Sequence, residues 1–162
     1  MDLLNRLINH PRVRAAFTEI AAWEKDRIYC RHGWEHAWAV ARLAYMLYLE
    51  ERDEREPEAR EGFYAAGLLH DLGRAAEYAT GEDHAQVSAR LAGEILVELG
   101  MPAEFIYKVC QAIAGHRRGE EEGWARYLYL ADKLSRPCLQ CVVEDCYKRE
   151  KMLVLQQLYD YR

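Results

Sequence analysis

Apolar residues recur along this chain every three or four positions, the interval of an α-helix, and two-residue alternation is nearly absent. Read in order, the pattern predicts a short helix over residues 3–9, another over 12–24 and a long one over 34–52. Further helices are predicted at about 58–71, 84–99, 102–116, 123–135 and 141–160. Pro11, Pro57, Pro102 and Pro137 stand where helices should begin, because a proline in the first turn forgoes an N–H that has no intrahelical partner there. Gly73 and Gly100 read as the glycines that close the 58–71 and 84–99 helices. Residues 74–83 and the stretch Gly119–Gly123 read as loops, and Glu50–Glu61 as a charged, solvated connection. The fold class is therefore all-α. With 162 residues, no internal repeat and no low-complexity tract, the chain reads as one domain spanning 1–162.

Six residues break the apolar faces of these helices. His36 stands above Val40, Leu43 and Leu47; His70 follows Phe63, Ala66 and Gly67, with Asp71 next to it. His84 precedes Val87 and Leu91, His116 follows Val109, Ala112 and Ile113, and Asp132 follows Leu128 and Tyr129. A buried imidazole or carboxylate is costly unless something pairs with it. Six of them aimed into one interior need a common partner, and a divalent cation suits neutral imidazole and carboxylate alike. Asp71 adds a local argument. It sits where its predicted helix ends, so its charge meets the negative end of the helix dipole, and a bound cation would reverse that penalty.

Composition narrows the function classes. Hydrophobic residues make up 51% of the chain, enough for a sizeable core, and the formal charge of −5 argues against broad nucleic-acid binding. No apolar run approaches the ~20 residues of a membrane span, and MDLLNRLINHPRVR lacks the apolar core of a signal peptide, so the expected location is cytoplasmic. A charged substrate then needs local cations. Arg74 follows the histidine–aspartate doublet, and Lys133 and Arg136 flank Asp132 on its helix. Arg117 and Arg118 read as solvated charge, and His10 and His32 as surface or helix-capping residues.

His36, the doublet His70-Asp71, and Asp132 within LYLADKLSR resemble in order and spacing the HD superfamily of metal-dependent phosphohydrolases, over about residues 30–136. The resemblance implies an HD-domain helical bundle with an interior metal site. It implies that His36, His70, Asp71 and Asp132 ligate one divalent ion, iron, manganese, magnesium or another divalent metal. His84 and His116 match the extra histidines of members that bind two ions, which Asp71 would bridge. The subgroup it most resembles is the bacterial symmetric dinucleoside-tetraphosphate hydrolases. The implied activity is hydrolysis of a phosphomonoester or phosphoanhydride of a small phosphorylated compound, a nucleotide or dinucleoside polyphosphate, by an activated water. Asp71 is the implied catalytic residue, with Glu35 and Asp83 as further candidate bases, and Arg74, Lys133 and Arg136 as phosphate-binding residues. A cyclic-nucleotide phosphodiesterase, a silent metal- or ligand-sensing module and an interaction protein centred on thiols are the competing readings.

Five cysteines remain, an odd number that does not suit a secreted disulfide framework. Cys110 reads as core. Cys138, Cys141 and Cys146 form C-x2-C-x4-C, and Cys30 precedes His36 by the six residues that separate Asp132 from Cys138. If His36 and Asp132 share an ion, Cys30 and Cys138 meet at one edge of the bundle. The spacing leaves open a structural zinc, an iron–sulfur cluster, reduced thiols packed among helices, or a Cys138–Cys141 disulfide. The amphipathic C-terminal helix is expected to pack on the bundle or to form a homodimer contact.

Overall fold

The structure is a computed structural model that describes residues 2–119 and 122–160, so Glu120 and Glu121 of the expected Gly119–Gly123 loop lie outside the described residues. Among the described residues nine α-helices follow one another, with no strand: α1 (Asp2–Ile8), α2 (Pro11–Trp23), α3 (Trp34–Glu51), α4 (Ala59–Leu69), α5 (Arg74–Thr80), α6 (His84–Glu98), α7 (Ala103–Gly115), α8 (Gly123–Leu134) and α9 (Arg149–Asp160). A single 3₁₀ turn, Cys138–Gln140, precedes α9.

The sequence of α4, AREGFYAAGLL, explains its place at the centre. Phe63, Ala65, Ala66, Leu68 and Leu69 are all fully buried, because α4 is covered by α3, α7 and α8 and flanked by α1 and α6. Small residues let the neighbours close in. At Gly67 an added Cβ would lie 2.3 Å from Ala41 Cα of α3, and at Gly62 it would lie 2.1 Å from the Trp124 ring of α8. The core they enclose joins Tyr48, Phe63, Leu96, Val109, Ile113 and Leu128 from five helices.

Helix ends fix where the polar residues emerge. Asp83 caps α6 by accepting a hydrogen bond from the Ala85 N–H at 2.9 Å, which sets His84 at the first helical position. At the other end Gly100 has φ +71°, with Gly100 N–H donating to Val97 O and Met101 N–H to Leu96 O, the closure expected of it.

Three expectations are corrected. Residues 74–83 are not a loop: Arg74–Thr80 forms α5, whose buried Ala75 lies where the helix packs on α2 and α6. Gly81 (φ +80°) closes that helix. Gly73, at φ −79°, is not a left-handed terminator. It is glycine for space, since a Cβ there would stand 2.5 Å from the His84 carbonyl oxygen and 2.9 Å from Ser88 N. The last helix begins at Arg149 rather than at 141, because the backbone of 141–146 is turned onto itself. The Arg149 guanidinium donates to Cys141 O (2.7 Å) and Val143 O (3.1 Å), and Arg149 N–H to Cys146 O (2.9 Å). The charged 50–61 connection is also more than solvated: Glu56 accepts from the Trp124 indole and from Lys108, both at 3.0 Å.

Candidate metal centre

The six polar residues singled out in the sequence meet inside the bundle. His36 comes from the first turn of α3, His70 and Asp71 from the turn that ends α4, His84 from the start of α6, His116 from the end of α7 and Asp132 from α8. Ligand atoms of His36, His70, Asp71 and Asp132 lie within 4.8 Å of one another, and so do those of Asp71, His84 and His116. Asp71 belongs to both groups, and its two oxygens divide between them. Oδ2 is 3.1 Å from His70 Nε2 and 3.6 Å from His36 Nε2, whereas Oδ1 is 3.3 Å from His84 Nε2. His36 Nε2 is also 3.1 Å from Asp132 Oδ1.

The backbone aims the rings. His70 Nδ1 donates to Gly67 O at 2.8 Å and His116 Nδ1 to Ile113 O at 2.6 Å, which leaves each Nε2 lone pair free. His36 Nδ1 faces Ser135 Oγ at 3.3 Å, and His84 Nδ1 lies 2.9 Å from Glu77 Oε2. The Gly73 N–H donates to Ser88 Oγ at 2.8 Å and so fastens the doublet's turn to α6.

Electrostatics reinforce the geometry. Burial alone would raise the Asp71 pKa, yet His70, Arg74 and His36 hold it well below the usual range. Asp132 is held low in the same way by Arg136, His36 and Lys133 against its burial. Burial pushes His116 down to about 3, helped by the charge of His70. His70 goes the other way, since Asp71 and Asp132 outweigh its burial. Four buried atoms, His36 Nε2, His70 Nε2, Asp71 Oδ2 and His84 Nε2, have no hydrogen-bond partner. Two ionised carboxylates beside orphaned imidazole nitrogens form a set of nitrogen and oxygen donors fitted to divalent cations.

The candidate phosphate-binding residues all reach this centre. Arg74 Nε lies 3.0 Å from Asp71 Oδ1 and its Nη1 2.6 Å from Glu77; Lys133 pairs with Asp132 Oδ2, and Arg136 Nη2 lies 2.9 Å from Asp132 Oδ1. Arg117 is engaged with Asp83 at 3.1 Å and Glu77 at 3.4 Å, and Asp83 also caps α6. Exposed Glu35 lines a cavity of about 620 Å³ together with His36, Arg31, Trp34 and Arg136, an opening beside the centre.

His32 is the residue the sequence reading misplaced. It is 4% exposed rather than a surface residue, and its backbone N–H donates to Glu24 Oε2 at 2.7 Å while its Nδ1 pairs with Glu24 Oε1. Tyr78 donates to that carboxylate at 2.6 Å. Burial lowers His32 to about 4, and these bonds hold Glu24 at about 2 against its own burial. A neutral His32 donating through Nδ1 keeps its Nε2 lone pair available, with its ring edge-on to His36 at 5.9 Å. The available signal was its place four residues before His36; its partners are Glu24, just past α2, and Tyr78 on α5. His10 is likewise buried rather than at the surface; it holds the N-cap position of α2 without a side-chain cap bond, and its Nε2 lies 3.1 Å from Glu98 Oε2.

The HD domain family model matches residues 33–137, from the start of α3 to just past α8. The chain belongs to the HD domain family. An uncharacterized protein from Clostridium beijerinckii is 34% identical over 147 residues, which cover 90% of this chain and 92% of that protein. The crystal structure of a predicted HD superfamily hydrolase from an uncultured Thermotogales bacterium shares the fold, with a TM-score of 0.64 at 24% identity over 99% of this chain and 92% of that one. The matched region contains all six residues around Asp71, which helix ends of the all-α bundle deliver to one interior point.

Proposed function

We propose that this HD protein is a metal-dependent phosphohydrolase that cleaves a phosphomonoester or phosphoanhydride of a small phosphorylated compound, with nucleotides and dinucleoside polyphosphates as the leading substrates. The observation that carries the reading is the division of Asp71, one oxygen toward His36 and His70 and the other toward His84. On this reading His36, His70, Asp71 and Asp132 hold one divalent ion, and Asp71, His84 and His116 hold a second. When bound, such ions acidify a water to serve as nucleophile and neutralise charge on the phosphoryl group.

The protein's own residues do the rest. Arg136 and Arg31 line the cavity that opens beside His36, and they attract an anionic substrate to a chain whose net charge is −5. Arg74, Lys133 and Arg136 now neutralise the two aspartates. Once cations take over that task, the three side chains can turn their donors to phosphoryl oxygens, where charge grows in the transition state. Asp71, held ionised, is placed to hold the ions and so orient the nucleophile. Trp34, stacked on Phe17 at 4.0 Å, gives the cavity wall an aromatic element.

The test is a phosphate-release screen with manganese and ferrous iron across nucleoside mono- to triphosphates, dinucleoside polyphosphates and sugar phosphates. The expected result is turnover of at least one class, reduced at least about a thousandfold in Asp71→Asn with helicity retained. Silence of the metal-loaded protein toward every class, or an Asp71→Asn variant as active as the parent, overturns the proposal.

A further inference from the structure

Cys30, Cys138, Cys141 and Cys146 lie outside the hydrolytic centre, and the fold gathers them. Cys30 lines the cavity beside His36 with Arg136 and Pro137, and the Arg136 guanidinium donates to the neighbouring Arg31 carbonyl at 3.2 Å. The segment before α3 is thereby tied to the segment after α8. Cys138 begins the 3₁₀ turn at 8% exposure, and Cys141 N–H donates back to Cys138 O at 3.3 Å. Arg149 then draws the Cys141 and Cys146 carbonyls to the start of α9. All four thiols are free. The Cys138 thiol is pushed up by burial and then by the charges of Cys30, Cys141 and Cys146, so all three stand near enough to act on it. The fifth cysteine, Cys110, is elsewhere, with its thiol on the Ala89 carbonyl.

The segment that carries three of these thiols has little else to hold it. Leu139 is 56%, Val142 90% and Tyr147 86% exposed, so its larger apolar side chains contribute no core. Loop-rich chain with few buried apolar groups is ordinarily stapled by a disulfide or a metal. Free thiols drawn together from two distant segments point to a metal.

We propose that Cys30, Cys138, Cys141 and Cys146 ligate an iron–sulfur cluster that fastens the 137–149 segment to the entry of α3. The pattern of three close cysteines and one distant one is that of cluster ligands, whereas structural zinc sites more often pair two ligands with two. Four sulfurs around one zinc at ~2.3 Å must sit ~3.8 Å apart. Among the described residues, the groups of three or more ligand atoms within 4.8 Å are the two histidine–aspartate groups, and neither includes a cysteine. A cluster, whose cysteines bind different irons, spreads them wider. It would stand behind Arg136, the residue that joins Arg31 to Asp132, and would thus hold one wall of the cavity in place.

Acid-labile sulfide decides the question, because ions at the histidine–aspartate centre contribute none. The full chain, produced with iron supplementation and purified anaerobically, or reconstituted with ferrous iron and sulfide, is expected to carry stoichiometric sulfide and a broad visible absorption that bleaches on reduction. Cys138→Ser combined with Cys141→Ser, and separately Cys30→Ser, should lose the sulfide, while Cys110→Ser keeps it. Wild-type protein that holds no sulfide after reconstitution overturns the proposal whether or not the variants fold. So does one thiol-bound zinc per chain, or a Cys138–Cys141 disulfide in protein never exposed to air.

Discussion

Replacing Gly67 with alanine adds one methyl group at a close approach of α3 to α4. The new Cβ would stand 2.3 Å from Ala41 Cα, 2.5 Å from Ala41 N and 2.6 Å from Ala41 Cβ. Two of these are backbone atoms, which cannot swing aside as the end of a flexible side chain can. Restoring 3.4 Å, the near edge of ordinary contact, from 2.3 Å requires about 1.1 Å of movement. Those two helices carry His36 and lead into His70-Asp71, and the Gly67 carbonyl itself orients His70 at 2.8 Å. Metal–ligand distances tolerate only ~0.2 Å. Alanine's better helix propensity returns about 1 kcal/mol, but overpacking a rigid core costs typically ~1–3 kcal/mol, and a backbone obstacle belongs at the upper end. We expect a net loss of about 2 kcal/mol in urea unfolding of the metal-free protein and metal binding weaker by ~10–100-fold, the scale seen when groups behind metal ligands are disturbed. Gly93→Ala is the control: its Cβ meets only Cys110 Sγ at 3.3 Å, so it should be neutral or stabilising by up to about 1 kcal/mol. A Gly67→Ala protein that unfolds at the parent's urea concentration and binds metal as tightly would refute the claim that this contact sets the spacing of the centre.

Metal stoichiometry separates the two halves of the centre: His84→Ala should reduce manganese binding from two ions per chain to one by calorimetry, and an unchanged count removes the second site. Acid should destabilise the metal-free protein. His32 and His116 have folded pKa values near 4 and 3, so below their unfolded value of ~6.5 the unfolded chain binds protons that the folded chain does not, and stability falls with pH. His70, shifted up, holds its proton in both states below that value and adds no slope there. Two groups over about 1.5 pH units amount to on the order of 4 kcal/mol between pH 6.5 and 5, and urea midpoints that do not move across this window would contradict it. Glu24→Gln removes the carboxylate that holds His32; it should lower kcat more than it weakens metal binding, and equal losses would make the pair a structural fixture only.

The sequence alone determined every helix but α5, and the identity of the six polar residues that share the interior. Both follow from local rules: a period of 3.6 marks which side of each helix is buried, and a histidine or aspartate on that side is conspicuous because burial without a partner is unfavourable. That is why His36, His70, Asp71, His84, His116 and Asp132 were legible one by one, and why their order sufficed to recognise the HD pattern. Tertiary structure decided what local pattern cannot encode. Which oxygen of Asp71 faces which histidine depends on how α3, α4 and α6 cross, and those crossings are set by single missing methyl groups at Gly67 and Gly73. α5 is too short for its period to stand out and exists because α2 and α6 cover it. His32 passed for a surface residue because Glu24 and Tyr78, the groups that stabilise it in the interior, are 8 and 46 residues away and meet it only in the folded chain.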